Sequence, residues 1–179
     1  MKRYCAKKSF ISTFVTALSV WLGGAVLCMG SGNDSALQKH FNKVFPEATQ
    51  MSFLLPKKNS PRSVRTLEVR KGKDLLGYGV EVEVVSRSGP FLVMVAVLPD
   101  ETVSDVQIPK YPHKRGRAVL KRSFLAQFRG VSYGTPLILG KQVDGVSGAT
   151  SSASAVTEGI RLALLLVHQC VGASAEMEK

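Results

Sequence analysis

Beyond residue 30, the spacing of apolar positions divides the chain into a short helix, a run of strands, a basic segment and a long final helix. From Ser35 to Phe45, Leu37, Phe41 and Val44 recur at helical spacing behind Asn33, Asp34 and Ser35, residues suited to an N-cap, and Pro46 ends the run. Met51 to Pro61 is rich in Pro, Lys, Asn and Ser and predicts a loop. In Thr66 to Arg70, Leu67 and Val69 alternate with Glu68 and Arg70, the period of a strand. Tyr78 to Val84 sets Tyr78, Val80, Val82 and Val84 on one face and Gly79, Glu81 and Glu83 on the other, which predicts a strand with one side in water. Phe91 to Leu98 is continuously apolar between the turns Arg87-Ser88-Gly89-Pro90 and Pro99-Asp100-Glu101, as expected of a central strand buried on both faces. Thr102 to Ile108 supplies another strand. The connections are too short for crossover helices, so the strands form an antiparallel meander.

Lys110 to Arg129 holds seven Lys/Arg and no acid, with Leu120, Phe124, Leu125 and Phe128 spaced for one helical face. It predicts a basic amphipathic helix whose apolar face lies in the core. Its charged face is either a solvated surface or a docking surface for an acidic redox partner or lipid head groups. Val143 to Val156 (VDGVSGATSSASAV) is a turn of small residues, and Val156, Ile160, Ala163, Leu164 and Val167 then follow the helical period. The predicted fold class is α+β: a mainly antiparallel sheet flanked by helices in a single domain over 34–170, with 171–179 as a flexible tail.

The first 30 residues differ from the rest. Lys2, Arg3, Lys7 and Lys8 precede Phe10 to Leu27, a stretch with no ionisable group. This reads as a signal peptide or a transmembrane anchor over 1–30, and the positive-inside rule sends Ser31 onward across the membrane. Cys28 ends the apolar run, but Leu27 before it fits a lipobox poorly. The 179 residues, 45% of them hydrophobic and 21% charged, can bury a core. The formal charge of +11 falls to +7 without the acid-free leader, leaving 20 bases against 13 acids. That favours acidic partners or an anionic membrane surface, and falls short of the dense basic footprint of a nucleic-acid binder. Cys5 and Cys28 belong to the leader, so the exported part retains one cysteine, Cys170, and cannot form an internal disulfide.

The candidate chemistry lies in the turn before the final helix. Gly145 and Gly148 permit close backbone approach and positive φ, while Ser147, Thr150, Ser151 and Ser152 gather hydroxyls where the first helical N–H groups lack partners. With the helix dipole, those donors suit an anion such as phosphate; an ordinary helix cap uses the same residue types. A Walker loop needs a Lys after its last glycine, and a nucleophile elbow needs Gly where Ala149 stands. His40, His113 and His168 are scattered without metal-ligand spacing and read as surface or packing residues, so no metal site and no catalytic residue is assigned.

Asp144-Gly145-Val146-Ser147-Gly148-Ala149-Thr150-Ser151 resembles the D-x-x-[ST]-G-A-T-[ST] signature of the covalent FMN-binding domain family. That family includes the flavin-carrying C subunit of the sodium-pumping NADH:quinone reductase, the G subunit of the Rnf complex and small exported flavoproteins. Val44-Phe45-Pro46-Glu47-Ala48, Gly77-Tyr78-Gly79 and Phe124-Leu125-Ala126-Gln127-Phe128-Arg129-Gly130 resemble further elements of it, so the likeness spans roughly Val44 to Val167. One region departs: where the pump subunits carry an E-x-TPGLG-type loop, this chain reads Lys110-Tyr111-Pro112-His113-Lys114-Arg115-Gly116.

The resemblance implies that Thr150 is esterified to the phosphate of FMN by a separate flavin transferase using FAD and magnesium, with this chain as acceptor. Asp144 would orient the loop or the transfer, Gly148 and Ala149 would present backbone to the phosphate, and Ser147 and Ser151 would bond to it. The implied protein is an extracytoplasmic electron carrier, secreted or membrane-anchored, working with a membrane quinone- or haem-containing partner. Two other readings stay open: a flavin-dependent reductase acting directly on a small molecule, and a non-redox module that binds phosphate or flavin reversibly.

Overall fold

The computed structural model describes residues 33–54 and 64–177; the leader, most of the loop expected over 51–61, and residues 178–179 lie outside the described residues. Helix α1 (Asn33–Val44) ends just before Pro46, as its sequence requires. Five strands follow: β1 (Gln50–Leu54), β2 (Val64–Lys71), β3 (Asp74–Ser86), β4 (Gly89–Val97) and β5 (Val103–Gln107). They pair in chain order, all antiparallel, as the meander predicted from the short connections. Strand β1 is a correction. Residues 51–54 were expected to open a loop, but with Gln50 they pair along β2, from Gln50 opposite Arg70 to Leu54 opposite Thr66. An edge strand needs only one paired side and little burial, so its composition carries a weak strand signal.

Both faces of β4 are covered. Phe91, Val93, Val95 and Val97 enter the larger core with Val80, Val82 and Val84 of β3, while Met94 and Ala96 join Leu67 and Val69 beneath Leu37 and Phe41 of α1. The second face of β3 departs from expectation. Gly79 lies under the Phe41 ring, 2.7 Å from where its Cβ would stand, and Glu81 is buried with its carboxylate accepting bonds from Arg65 Nε (2.9 Å) and Nη2 (2.7 Å). Glu83 alone of the three is exposed. The early Phe45 and the glycine-tyrosine strand also meet here, since a Cβ on Gly77 would lie 3.0 Å from Phe45 Cζ.

Helix α3 (Thr150–Met177) covers the other face of the sheet, packing on β3 and β4. Val156, Ile160, Ala163, Leu164 and Val167 are all buried, as their spacing predicted. A Cβ on Gly159 would fall 2.6 Å from Val84 Cγ1, so α3 approaches β3 more closely than any side chain there would allow. The helix continues through 171–177, the stretch read as part of a tail. Among the described residues, α3 is long and apolar enough to cross a membrane, although here its apolar stripe is committed to the sheet.

The basic segment is not one helix. It breaks into a 3₁₀ turn (Arg117–Leu120), the one-turn helix α2 (Arg122–Leu125) and a second 3₁₀ turn (Ala126–Phe128). Gly116 has φ +82° and Lys121 is extended, so the helical ladder cannot run through either residue. Of the expected face, Phe124 and Phe128 are buried with their rings edge to face at 5.4 Å and Leu120 and Leu125 are partly buried against the core, while Val119, outside that face, is buried as well.

Two outcomes test this packing. Gly79→Ala forces its methyl into the Phe41 ring and is expected to destabilise the protein by about 1–3 kcal/mol in urea unfolding. His40 on α1 has its Nε2 buried without a partner. Burial, aided by Lys43, holds its pKa below the ordinary 6.5 against Asp105 and Gln107. The unfolded chain therefore takes up this proton first, and stability present above about pH 6.5 is lost as the pH falls through the folded-state value. The urea midpoint should drop on acidification over that window and do so less steeply in His40→Gln. Asp105, where bonds from Arg129 and Gln107 outweigh burial and lower the pKa, acts only below its ordinary 3.8.

Candidate functional site

The signature turn is built from three anchors. Val143 is buried and bridges in parallel to Leu139. The Asp144 amide donates to Gln127 Oε1 at 2.7 Å, so the Phe124-to-Gly130 segment holds the turn through its glutamine while the Asp144 side chain is exposed. Gly148 then takes φ +74° with open space where a Cβ would be, which makes backbone conformation the reason for glycine there. Gly145 adopts no positive φ.

Ala149 is the N-cap of α3: its amide closes a turn onto Val146 O (3.0 Å) and its carbonyl accepts the Ala153 amide (2.8 Å). The amides of Thr150, Ser151 and Ser152 therefore have no helical carbonyl to bond, and alanine offers no side-chain oxygen to satisfy them. An ordinary cap would place Ser, Thr, Asp or Asn at that position. Thr150 is the first helical residue and is exposed.

Its two neighbours are engaged elsewhere. Ser151 Oγ accepts the Arg87 amide at 2.8 Å, which leaves its hydroxyl proton to offer to a ligand. Ser152 is buried against Tyr111, with Oγ and Oη 2.8 Å apart, and the Tyr111 hydroxyl donates to the Arg115 carbonyl at 3.0 Å. A Cβ on Gly116 would collide with both Ser152 Oγ and Tyr111 Oη. The Tyr111 ring meets Phe91 (4.9 Å) and His113 (5.4 Å) edge to face, and His113 Nε2 lies 2.9 Å from Pro90 O.

The structure thus gathers the β3–β4 turn, the 111–116 loop and the start of α3 at one end of the sheet. It brings Ser147, Gly148, Ala149, Thr150 and Ser151 together as contiguous residues of one turn, with Asp144 at its base. Sequence reading missed Arg87, Tyr111 and Gly116, gave no role to Gln127, and counted Ser152 among the open hydroxyls of the turn although it is buried against Tyr111. Their partners lie 17 to 64 positions away along the chain, so no local spacing connects them. Electrostatically the end is positive: Lys114, Arg115 and Arg117 are exposed, no acid occurs between Asp105 and Asp144, and the α3 dipole adds to the field.

Of the histidines, His168 Nδ1 lies 2.8 Å from Glu101 Oε2 and its ring stacks on Tyr133, so both it and His113 take packing roles. Among the described residues no cluster of three His, Cys, Asp or Glu could hold a metal ion. Tyr111→Phe leaves the buried Ser152 hydroxyl unpaired and is expected to cost about 1–3 kcal/mol in urea unfolding. Adding Ser152→Ala to that variant should cost less than Ser152→Ala alone, because the stranded group goes with it.

Residues 87–165 match the model of the FMN-binding domain family. The match runs from the β3–β4 turn through the signature and most of α3; the Val44-to-Ala48 and Gly77-to-Gly79 elements lie outside it. No curated protein matches the chain. The segment that gathers the open helix terminus, the cationic loop and Thr150 lies within that match, which supports an FMN-binding domain over residues 87–165.

Proposed function

We propose that the chain carries FMN covalently, through a phosphoester to Thr150 Oγ1, and relays electrons between redox partners. The observation that carries this is the start of α3: an exposed threonine hydroxyl beside three amides without helical partners, behind an alanine cap. A phosphodiester there keeps one negative charge, which those amides, the helix dipole and the surrounding cations offset. Thr150, Ser151 and Ser152 would hold the phosphate through backbone N–H groups, with Ser147 and the Ser151 O–H within the same turn. The bond forms between Thr150 Oγ1 and the FMN phosphorus of FAD as the pyrophosphate P–O bond breaks, and AMP leaves, taking up the threonine proton. A flavin transferase supplies the flavin, so Thr150 is an attachment residue and the chain itself catalyses no step.

When bound, FMN supplies one- or two-electron exchange, with a potential set by the protein around its ring. Covalent attachment makes occupancy independent of free-flavin concentration. This suits the extracytoplasmic location inferred from the charged, apolar leader over 1–30. The partners fitting this role are a membrane quinone- or haem-containing reductase and a downstream acceptor, met in part through the basic 110–129 surface.

Intact-mass measurement with peptide mapping tests the attachment, using the full chain co-expressed with a flavin transferase in a secreting host. The expected result is a gain of one FMN less one water at Thr150, dependent on the transferase and abolished in Thr150→Ala. Unmodified wild type beside a flavinylated control protein, or modification retained in the variant, overturns it. Turnover of a small-molecule acceptor by the isolated flavinylated protein would instead favour the reductase reading.

A further inference from the structure

At the β5 edge of the sheet, the last turn of α1 and the broken basic segment enclose a groove of about 720 Å³. No residue of the signature turn or of α3 lines it. Its cations are Lys43 from α1 and Arg122 and Arg129 from the basic segment, and the one acid in its lining is Asp105 of β5. That carboxylate is already matched, accepting from Arg129 Nη2 at 2.5 Å and from Gln107 Nε2 at 3.0 Å. Among the described residues, Lys43 and Arg122 pair with no carboxylate. Three cations against one acid leave two positive charges in surplus. Lys39, one turn before Lys43, and Lys121, just before Arg122, are exposed as well.

The same lining holds hydrocarbon. Val44, Ile108, Leu120 and Leu125 are half-buried and present apolar surface beside the cations. Cation and hydrocarbon in one place match an amphiphile with an anionic head, because guanidinium and ammonium groups bind phosphate oxygens while the carbons next to the phosphate cover the leucines. A carboxylate-rich protein surface satisfies the charges and leaves the leucines wet.

The chain that precedes α1 points the same way. Five residues separate the uncharged stretch Phe10 to Leu27 from Asn33, where α1 begins. Fully extended they reach about 18 Å, so a leader seated in the membrane holds α1 near the lipid surface. The positive-inside rule puts that surface on the far side of the membrane, where Ser31 onward is sent.

We propose that this groove docks the protein on an anionic phospholipid surface, with Lys43 and Arg122 binding head-group phosphates and Leu120 and Leu125 meeting the carbons beneath them. The inference deepens the membrane side of the reading above, resting on the leader and not on the flavin. The strand and helix ends that form the groove come from α1, β5 and α2, so docking there leaves the start of α3 uncovered for a redox partner.

Both buried clusters consist of residues between Leu37 and Val167, so the chain from Ser31 keeps its whole described core without the leader. Residues 31–179, prepared without a flavin transferase, are sedimented with vesicles of phosphatidylcholine alone or mixed equally with phosphatidylglycerol. Binding is expected to the phosphatidylglycerol vesicles only. A cation at an anionic surface contributes about fivefold to partitioning, so Lys43→Gln with Arg122→Gln should weaken binding roughly twentyfold. Lys73→Gln with Lys141→Gln removes the same charge outside the groove and should weaken it by no more than about threefold, the share of the general field. Lys43→Arg with Arg122→Lys should bind as wild type does. All these positions are exposed, and the urea midpoint confirms that each variant is folded. Failure of wild type to bind phosphatidylglycerol vesicles, or equal loss in the two glutamine doubles, overturns the proposal. Tighter binding to soluble polyglutamate than to the vesicles at equal charge also overturns it, assigning the groove to an acidic protein. Since no flavin is present, none of these outcomes bears on attachment at Thr150, which the mass measurement decides separately.

Discussion

The close approach of α3 to β3 at Gly159 is the constraint on which the rest of this domain depends. A side chain at that position would displace the helix from Val84, and with it the helix terminus from the β3–β4 turn. Burial of Val156, Ile160, Ala163, Leu164 and Val167 against the sheet provides the driving force, and Gly159 sets the distance over which it acts. Because the helix is seated there, Ser151 can bond to Arg87, and Ser152 can bond to Tyr111. The position of Thr150 thus follows from packing in the middle of the helix, not from the turn alone.

The terminus itself is an unfinished piece of secondary structure. Alanine at the cap leaves three amides open, and the side chains that could have satisfied them are turned toward the hairpin and the 111–116 loop. Leaving donors unpaired costs stability unless water or a ligand takes them, so a helix built this way is suited to an anion held from outside the chain. The neighbouring cations and the absence of acids from 106 to 143 raise the potential in the same place. Those cations sit on a segment broken into single turns by Gly116 and Lys121. It wraps the end of the domain as a straight helix could not, and it brings Tyr111 and Gln127 to the signature turn from opposite ends.

Much of this was legible along the chain. Helix α1, β2 to β5 and the helical core of α3 each bury a face through local periodicity, and each was read with small boundary differences. The signature from Asp144 to Ser151 was legible because a turn needing small residues and a positive-φ glycine can be made in few ways. The failures share a different cause. Strand β1 owes its conformation to pairing with β2, Glu81 is buried because Arg65 reaches it from the next strand, and the basic segment kept its apolar spacing while two residues interrupted its helix.

By itself the sequence determined the meander, the two-sided burial of β4, the long helix behind a small-residue turn and the family to which that turn points. These are local matters of period, turn chemistry and motif. Only the tertiary structure decided that alanine caps α3 and that Tyr111, Arg87 and Gln127 converge on the turn and the start of that helix. Each of these depends on side chains far apart in sequence meeting at one end of the sheet, where the close packing of α3 on β3 places them.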